Sequence, residues 1–268
     1  MNQDIRIGAL ISGSGTNLQA IMDTCESGQI RGSIVFIGTD NPGAAGLKKG
    51  ERLKIPSFVV DYGSIIRRFK KSPEKVKLPD DFDFNEILSK QTLYPADADK
   101  QKMKAFFTTR AIAEATLLDK MKNYPFDLLV LAGFMRNLTP YFIDRVNTVP
   151  DHPKIMNIHP ALLPAFPGID GYGDTFRYGC KIGGCTVHFV DYGEDSGPII
   201  GQRAYTISGD DTIESVWEKG LELEWALYPE CVKLFAEGRL KTVRMSYVLN
   251  SGEKTHRTIV KILPSPKG

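Results

Sequence analysis

Asn157-Ile158-His159-Pro160 brings an amide and an imidazole, one residue apart, to the end of an apolar run that a proline stops. Side chains at i and i+2 of a strand share a face, so Asn157 and His159 would look onto one surface. Farther on, Glu194-Asp195-Ser196-Gly197-Pro198 offers a carboxylate on a sequence with turn chemistry. An amide N–H polarises a carbonyl, an imidazole carries a proton, and a carboxylate orients the imidazole or holds it charged. Each residue alone has a plainer reading. A buried histidine is more often satisfied by hydrogen bonds than catalytic, and Asp-Ser-Gly-Pro is a good turn in its own right.

A second polar feature lies near the start. Residues 5–11 are almost continuously apolar and lead into Gly13-Ser14-Gly15-Thr16-Asn17, after which Leu18, Ala20, Ile21 and Met22 follow at helical spacing. A glycine loop between strand and helix presents backbone N–H groups and the positive end of the helix dipole, which suits a phosphate. Leu18 stands where a dinucleotide fingerprint needs its third glycine, and no Gly-Lys-Ser/Thr follows. Asp40, near the end of the next apolar run, mimics a ribose-binding acid and keeps a dehydrogenase-like nucleotide binder open; a tight structural turn is the other reading of the loop. His188 reads as a structural or supporting residue behind the other polar groups, and His152 and His256 sit in polar, loop-like surroundings.

These segments need a frame. Apolar runs at residues 33–39, 57–60 and 126–133 alternate with helical patterns at residues 44–53 and 99–123, and such alternation argues for a parallel sheet. The expected fold class is α/β: a Rossmann-like, mostly parallel twisted sheet with helices on both faces. Residues 126–133 form the clearest buried strand, and Gly133-Phe134-Met135-Arg136 leaves its carboxyl end, where ligands sit in open sheets. A helix over residues 139–145 leads towards Ile155. After a proline-punctuated loop at residues 162–168, strands at residues 184–190 and 199–207 are joined by a turn short enough to make them antiparallel. Asp210-Asp211-Thr212 caps a long helix through Val216, Leu227 and Phe235, and residues 243–249 and 258–263 read as a closing β-hairpin.

The expected organisation is a single domain over residues 1–242, with an insertion at about residues 62–98, and a C-terminal β-hairpin extension over residues 243–268. The insertion carries Arg67, Arg68, Lys70, Lys71 and Lys75 with little periodicity. It reads first as a solvated insertion or lid and second as a substrate or oligomer contact.

Composition narrows function by exclusion. Over 268 residues, 42% hydrophobic and 25% charged content is ordinary for a globular protein, and 34 basic against 32 acidic residues give a formal charge of +2, with no global attraction to nucleic acid. Cys25, Cys180, Cys185 and Cys231 lack the paired spacing of a zinc or redox motif, which points to reduced thiols and to no metal. There is no run of about eighteen apolar residues and no basic-then-apolar leader, so a cytoplasmic protein without a membrane anchor is expected.

Taken together, Asn157-Ile158-His159-Pro160-Ala161-Leu162-Leu163-Pro164-Ala165-Phe166-Pro167-Gly168, residues 184–190 and Asp195-Ser196-Gly197-Pro198-Ile199-Ile200 resemble the catalytic core of the formyltetrahydrofolate-dependent formyltransferases. Further matches are Ile11-Ser12-Gly13-Ser14-Gly15-Thr16-Asn17-Leu18-Gln19, Leu131-Ala132-Gly133-Phe134-Met135-Arg136 and Glu224-Trp225-Ala226-Leu227-Tyr228-Pro229. The resemblance covers about residues 6–242 outside the insertion. Asn-x-His-Pro and Asp-x-Gly-Pro mark the wider family, whereas the first glycine loop and the Glu224 segment favour its purine-synthesis branch. The resemblance implies an enzyme of one-carbon metabolism. It would pass the formyl group of its co-substrate, 10-formyltetrahydrofolate, to the amine of 5-phosphoribosylglycinamide by direct attack.

What the resemblance implies for individual residues is specific. Asn157 would donate to the developing oxyanion, His159, protonated or hydrogen-bonded, would share that task, and Asp195 would hold His159 and help remove the amine proton. Gly15, Thr16 and Asn17 would hold the substrate phosphate, and Glu224 its ribose hydroxyls. Arg110, Met135, Arg136, Asn137 and Leu138 would line the folate pocket, with Asp191, Tyr192, Gly193, Glu194 and Asp195 looping over the pterin. Arg136 would pair with the folate's glutamate carboxylate. Small molecules are the expected partners, with no nucleic acid and no membrane; a homodimer is admitted while the oligomeric state stays open. Three features depart from the family pattern: Ile169-Asp170-Gly171-Tyr172-Gly173-Asp174 replaces a histidine-containing segment, Trp225 replaces a histidine, and the insertion is unusual. A sugar-nucleotide N-formyltransferase, a formyltetrahydrofolate hydrolase and a non-catalytic folate- or nucleotide-binding protein therefore stay in play.

Overall fold

Ile7, Ala9 and Ile11 point to one side of their strand and Leu10 to the other, and all four are fully buried. A strand apolar on both sides belongs in the middle of a sheet covered on both faces. In the computed structural model, which describes residues 4–265, it does. The strands β1 (Ile5–Ile11), β2 (Gly32–Thr39), β3 (Ser57–Val59), β4 (Leu128–Leu131), β5 (Ile155–His159), β6 (Ile182–Phe189) and β7 (Ile199–Thr206) form one sheet in the order β3-β2-β1-β4-β5-β6-β7. Strands β1 to β5 pair in parallel, and β6 and β7 join antiparallel. The remaining elements are α1 (Thr16–Glu26), α2 (Leu47–Arg52), α3 (Tyr62–Lys71), a 3-10 turn (Pro73–Lys75), α4 (Phe84–Lys90), α5 (Lys100–Met121), α6 (Pro140–Val146), α7 (Gly171–Arg177), α8 (Ile213–Ala236) and a hairpin of β8 (Leu240–Val248) and β9 (Lys254–Ile262). Among the described residues no helix is long and apolar enough to cross a membrane.

Two apolar layers sandwich the sheet. On one face Leu18, Ile21 and Met22 of α1 and Leu227, Tyr228 and Val232 of α8 pack on Ile7, Ala9 and Val130. On the other, Leu117 and Met121 of α5 and Phe142 and Ile143 of α6 pack on Leu10, Leu129 and Leu131. Tyr228 ties α8 to the sheet: its hydroxyl donates to the Met156 carbonyl at 2.7 Å. The chain leaves β1 towards β2 on one side, and β4 lies on the other. This switch point opens a crevice at the carboxyl ends of β1 and β4, where α/β sheets bind ligands.

The long helices start where polar side chains replace missing backbone partners. Asp99 accepts from Gln101 and Lys102 N–H groups at the start of α5, and Thr212 and Ser215 form a reciprocal capping box on α8. The closing hairpin is longer than expected, because ladder pairing runs unbroken from Leu240↔Ile262 to Val248↔Lys254.

The segment at residues 62–98 differs from a solvated lid. Its basic residues Arg67, Arg68, Lys70 and Lys71 face solvent, but several of its apolar residues are packed, while Leu78 stays exposed. Tyr62 is fully buried with its ring edge-on to Phe134. Ile87 joins Met103, Phe107 and Tyr141 in a separate core, which Phe84 and Tyr94 cover. Two short helices and a proline turn divide these apolar positions, so no window of sequence shows a sustained period. The α7 helix, on a segment with no expected element, depends on Asp170, whose carboxylate accepts the Gly173 N–H.

Candidate functional site

The crevice at the switch point holds a cavity of about 430 Å³. Its floor comes from the loops after β1, β4 and β5, and its sides from α7, α8 and the loop after β6. Gly13, Gly15, Thr16, Asn17, Asn157, Gly193, Glu194, Asp195 and Glu224 line it, as do Met135, Arg136, Asn137 and Leu138. One concave surface thus brings together most of the residues singled out in the sequence. Arg110, His159, Asp191 and Tyr192 lie outside its wall.

At the amino end, Gly15 occupies the cap position of α1 with φ +68° and no side-chain cap. A left-handed turn is cheap only for glycine, and it aims the first N–H groups of α1 at the cavity with no side chain in their way. Lys49 adds a cation beside the loop that the sequence did not flag. Its chain passes 3.7 Å from where a Gly15 Cβ would sit, and its ammonium donates to Gln19. Its sequence neighbours are polar, so only the fold reveals its place.

Asn157 and His159 do share a strand face, but in different environments. His159 is 2% exposed, and both ring nitrogens face acceptors: Nε2 lies 2.7 Å from the Phe166 carbonyl and Nδ1 3.1 Å from Asp195 Oδ2. The Phe166 carbonyl cannot donate and an ionised Asp195 cannot either, so beside the Asp195 carboxylate this geometry selects the imidazolium form of His159. Burial pushes its pKa down, but the hydrogen bond and charge of Asp195 and the Phe166 carbonyl outweigh it, and the net shift is upward. Burial likewise pushes Asp195 up, and the hydrogen bond and charge of His159, with the Gly168 N–H, overcome that and hold the carboxyl well below the usual range. Asp195 also accepts the Gly168 N–H at 2.9 Å and sits at φ +49°, which a non-glycine residue adopts only when its surroundings fix it.

His188 is more central than its sequence reading. It lines the cavity, opposite Asn157 in the antiparallel pairing of β5 and β6. Its Nδ1 donates to the Phe189 carbonyl at 2.9 Å. In that tautomer Nε2 accepts from Asn157 Nδ2 at 3.3 Å, and it lies 3.6 Å from Asp195 Oδ1. The second hydrogen of the Asn157 amide is left for the cavity.

The wall at residues 135–138 mixes apolar and polar groups. Met135 is exposed, Leu138 is buried, and Asn137 Nδ2 donates to Glu194 Oε1 at 2.9 Å. Arg136 Nε donates to Asp40 at 2.5 Å, and Ser12 Oγ also donates to Asp40 while accepting the Met135 N–H. Asp40 is therefore 97% buried and occupied by protein donors, so it does not serve as an open ribose-binding acid. Arg110 is buried behind this wall, its guanidinium 4.8 Å from the Phe106 ring and 5.3 Å from the Tyr62 ring. Asp191 accepts from Ser196 and the Gly193 N–H, and Tyr192 donates to Asp144, so both shape the loop from outside the cavity.

On the far wall Glu224 is 95% buried, accepting from Asn17 Nδ2 at 2.6 Å and from the Tyr172 hydroxyl at 2.6 Å. Burial raises its pKa against both hydrogen bonds. Tyr172 also lines the cavity, with Trp217 beside it. No motif in the sequence named Tyr172; the departure from the family pattern at residues 169–174 was the signal.

The arrangement combines a glycine loop at a helix N-terminus, an amide flanked by two histidines and a carboxylate, and a mixed apolar and polar slot. Comparison with known proteins gives the family. The family described as formyl transferase matches residues 5–232. Phosphoribosylglycinamide formyltransferase of Haemophilus influenzae is 31% identical over 236 residues, covering 88% of this chain and 89% of that protein. The Bacillus subtilis protein of the same name is 29% identical over 228 residues, covering 85% and 93%. The chain also matches trifunctional purine biosynthetic protein adenosine-3 of Chironomus tentans at 31% over 238 residues, but spans only 14% of its length. Among solved structures, glycinamide ribonucleotide transformylase 1 from Symbiobacterium toebii superposes with a TM-score of 0.68 at 34% identity, covering 97% of this chain and 94% of that one. This protein belongs to the formyl transferase family.

Proposed function

We propose that the protein transfers the formyl group of 10-formyltetrahydrofolate to the amine of 5-phosphoribosylglycinamide, a step of purine biosynthesis in the cytoplasm. The observation that carries the reading is one continuous cavity running from the N–H groups at Gly15 to Asn157 and on to the slot at residues 135–138. An anionic acceptor and a folate would meet at Asn157. Both substrates are small molecules, and no bound metal is part of the reading.

In this reading the acceptor's phosphate rests on Gly15, Thr16 and Asn17, with Lys49 nearby, and its ribose reaches Glu224. The folate lies along Met135, Arg136, Asn137 and Leu138, under Gly193 and Glu194. Arg136 could pair with the folate's glutamate carboxylate only by sharing or leaving Asp40. Arg110 supports the slot from behind through Tyr62 and Phe106.

The amine nitrogen attacks the formyl carbon, a C–N bond forms, and negative charge gathers on the formyl oxygen. The free hydrogen of the Asn157 amide stabilises that oxygen, with the positive charge of His159 behind it. Collapse breaks the bond from the formyl carbon to folate N10, and one proton passes from the amine to N10 through water. Asp195 keeps His159 charged and holds the loop. Its weak basicity makes it an anchor and, through water, a relay rather than the final proton acceptor.

The test incubates the protein with 10-formyltetrahydrofolate and, separately, phosphoribosylglycinamide, water and an aminosugar nucleotide, following loss of the formyl group. Transfer to phosphoribosylglycinamide is expected. Transfer only to the aminosugar nucleotide, only to water, or to nothing overturns the assignment.

A further inference from the structure

The segment Asp170-Gly171-Tyr172-Gly173 is built around one side chain. Asp170 caps α7, and a Cβ on Gly173 would collide with the Asp170 carboxylate at 2.2 Å. A Cβ on Gly171 would strike the Pro160 carbonyl at 2.6 Å. Across the gap, Gly220 of α8 leaves the notch that receives the Tyr172 ring, where a Cβ would come within 2.2 Å of it. Three glycines on two helices thus let the ring reach inward, where its hydroxyl donates to Glu224 Oε1 at 2.6 Å.

A second, independent observation lies on the same wall. Asn17 Nδ2 donates to Glu224 Oε2, which fixes the amide so that Oδ1 faces away from the carboxylate. Asn17 is 93% buried and lines the cavity, yet Oδ1 has no hydrogen-bond partner among the described residues. A buried acceptor without a donor is costly, and this one waits for a ligand O–H or N–H. Glu224, with both oxygens held by single donors, keeps further lone pairs.

We propose that Tyr172 is a positioning residue for the acceptor. By holding Glu224 against Asn17, it makes a rigid wall of carboxylate and amide oxygens that recognises the vicinal hydroxyls of a ribosyl group. This deepens the function proposed above and rests on it. A wall of acceptors pairs with hydroxyl donors, and fixing its geometry beforehand strengthens the bonds that form. Removing the phenolic oxygen frees Glu224 to rotate without disturbing the ring in its notch. The chemistry at Asn157 lies elsewhere in the cavity, so binding is affected and the reacting bonds are not.

The experiment compares wild type, Tyr172→Phe and Gly220→Ala with phosphoribosylglycinamide and its 2-deoxyribosyl analogue, at saturating 10-formyltetrahydrofolate. For Tyr172→Phe the KM for the ribosyl acceptor rises about tenfold, as loss of a hydrogen bond to a carboxylate implies. Its kcat, its KM for 10-formyltetrahydrofolate and its KM for the deoxy analogue stay near wild type. Gly220→Ala, which displaces the ring, repeats the pattern. An unchanged ribosyl KM in Tyr172→Phe, or an equal rise for both acceptors, overturns the role of Tyr172 while leaving the function standing. A wild-type protein that formylates neither acceptor overturns the function and this inference with it.

Discussion

His159 and Asp195 form a buried ion pair, Nδ1 to Oδ2 at 3.1 Å, and the Phe166 carbonyl closes on the other imidazole nitrogen at 2.7 Å. Two acceptors on one ring select the imidazolium, and the raised pKa of His159 expresses that selection. Because the folded pKa exceeds the unfolded one, the pair stabilises the fold fully below the ordinary histidine pKa of about 6.5. That contribution is lost as pH rises through the folded value. An NMR titration of His159 should give a midpoint above 6.5. In Asp195→Asn the midpoint should fall, because burial then acts with less opposition. A midpoint unmoved by Asp195→Asn would refute the coupling.

The free hydrogen of the Asn157 amide makes a different demand on kinetics. Substitution by alanine should lower kcat by about 100- to 1000-fold, the usual cost of one oxyanion donor, with little change in KM for either substrate. Alanine at His159 or Asp195 should also abolish transfer, and circular dichroism should show all three variants folded. Near-normal turnover in all three would end the assignment.

Much of the candidate site's layout was legible because its parts are local. Asn-x-His-Pro, the Gly13–Asn17 loop and Asp195-Ser196-Gly197-Pro198 each carry their geometry within a few residues, and the strand alternation placed them at one sheet edge. What was hidden is non-local. His188 enters the cavity because β6 runs antiparallel to β5 and sets it opposite Asn157. Tyr172 meets Glu224 across 52 residues, through a glycine notch that no window of sequence displays. The burial of Tyr62 and Ile87 depends on short helices whose apolar positions show no period until α5 is in place.

Glu114 sets a second pH dependence. It is fully buried, and its carboxylate accepts the Thr139 N–H at 2.9 Å and hydroxyl at 2.5 Å, just after the slot residue Leu138. Burial outweighs those bonds and raises its pKa from 4.5 to about 7. A carboxyl with a raised folded pKa binds more protons folded than unfolded, so stability falls as pH rises from about 4.5 to 7. The loss amounts to roughly 3 kcal/mol. Glu114→Gln keeps the N–H bond, and the Thr139 hydroxyl can turn to accept. Its chemical-denaturation midpoint should therefore vary less between pH 5 and 8 than that of wild type; equal slopes would refute the claim.

Gly15 and Lys49 separate conformation from charge at the proposed phosphate loop. Gly15→Ala meets only ordinary contacts, at 3.4 Å and beyond, so its penalty comes from holding alanine at φ +68°, about 1–2 kcal/mol. It should raise the acceptor KM and weaken inhibition by inorganic phosphate. Lys49→Met should weaken phosphate inhibition mainly at low salt, where a half-exposed charge is least screened. An inhibition constant indifferent to both substitutions would place the phosphate elsewhere.

The insertion reaches the loop after β6 through its last helix. Lys90 of α4 bridges Glu86 at 2.7 Å and Asp144 at 2.8 Å, and Asp144 in turn accepts the Tyr192 hydroxyl at 2.5 Å. Two residues on, the Thr92 N–H donates to the Tyr192 carbonyl at 3.1 Å, and Thr92 Oγ1 sits so close to Gly193 that a Cβ there would lie 2.7 Å from it. The loop carrying Gly193, Glu194 and Asp195 is thus propped from below by α4, whose own anchor is Ile87. Half-exposed ion pairs contribute little to stability by themselves, so Lys90→Met should lower the melting temperature only slightly. It should loosen the loop and raise KM for 10-formyltetrahydrofolate while sparing the acceptor KM. Ile87→Ala removes a buried anchor, costs about 2–5 kcal/mol, and should show the same kinetic split at temperatures where it remains folded. If both variants instead raised the acceptor KM alone, the prop would belong to the other half of the cavity.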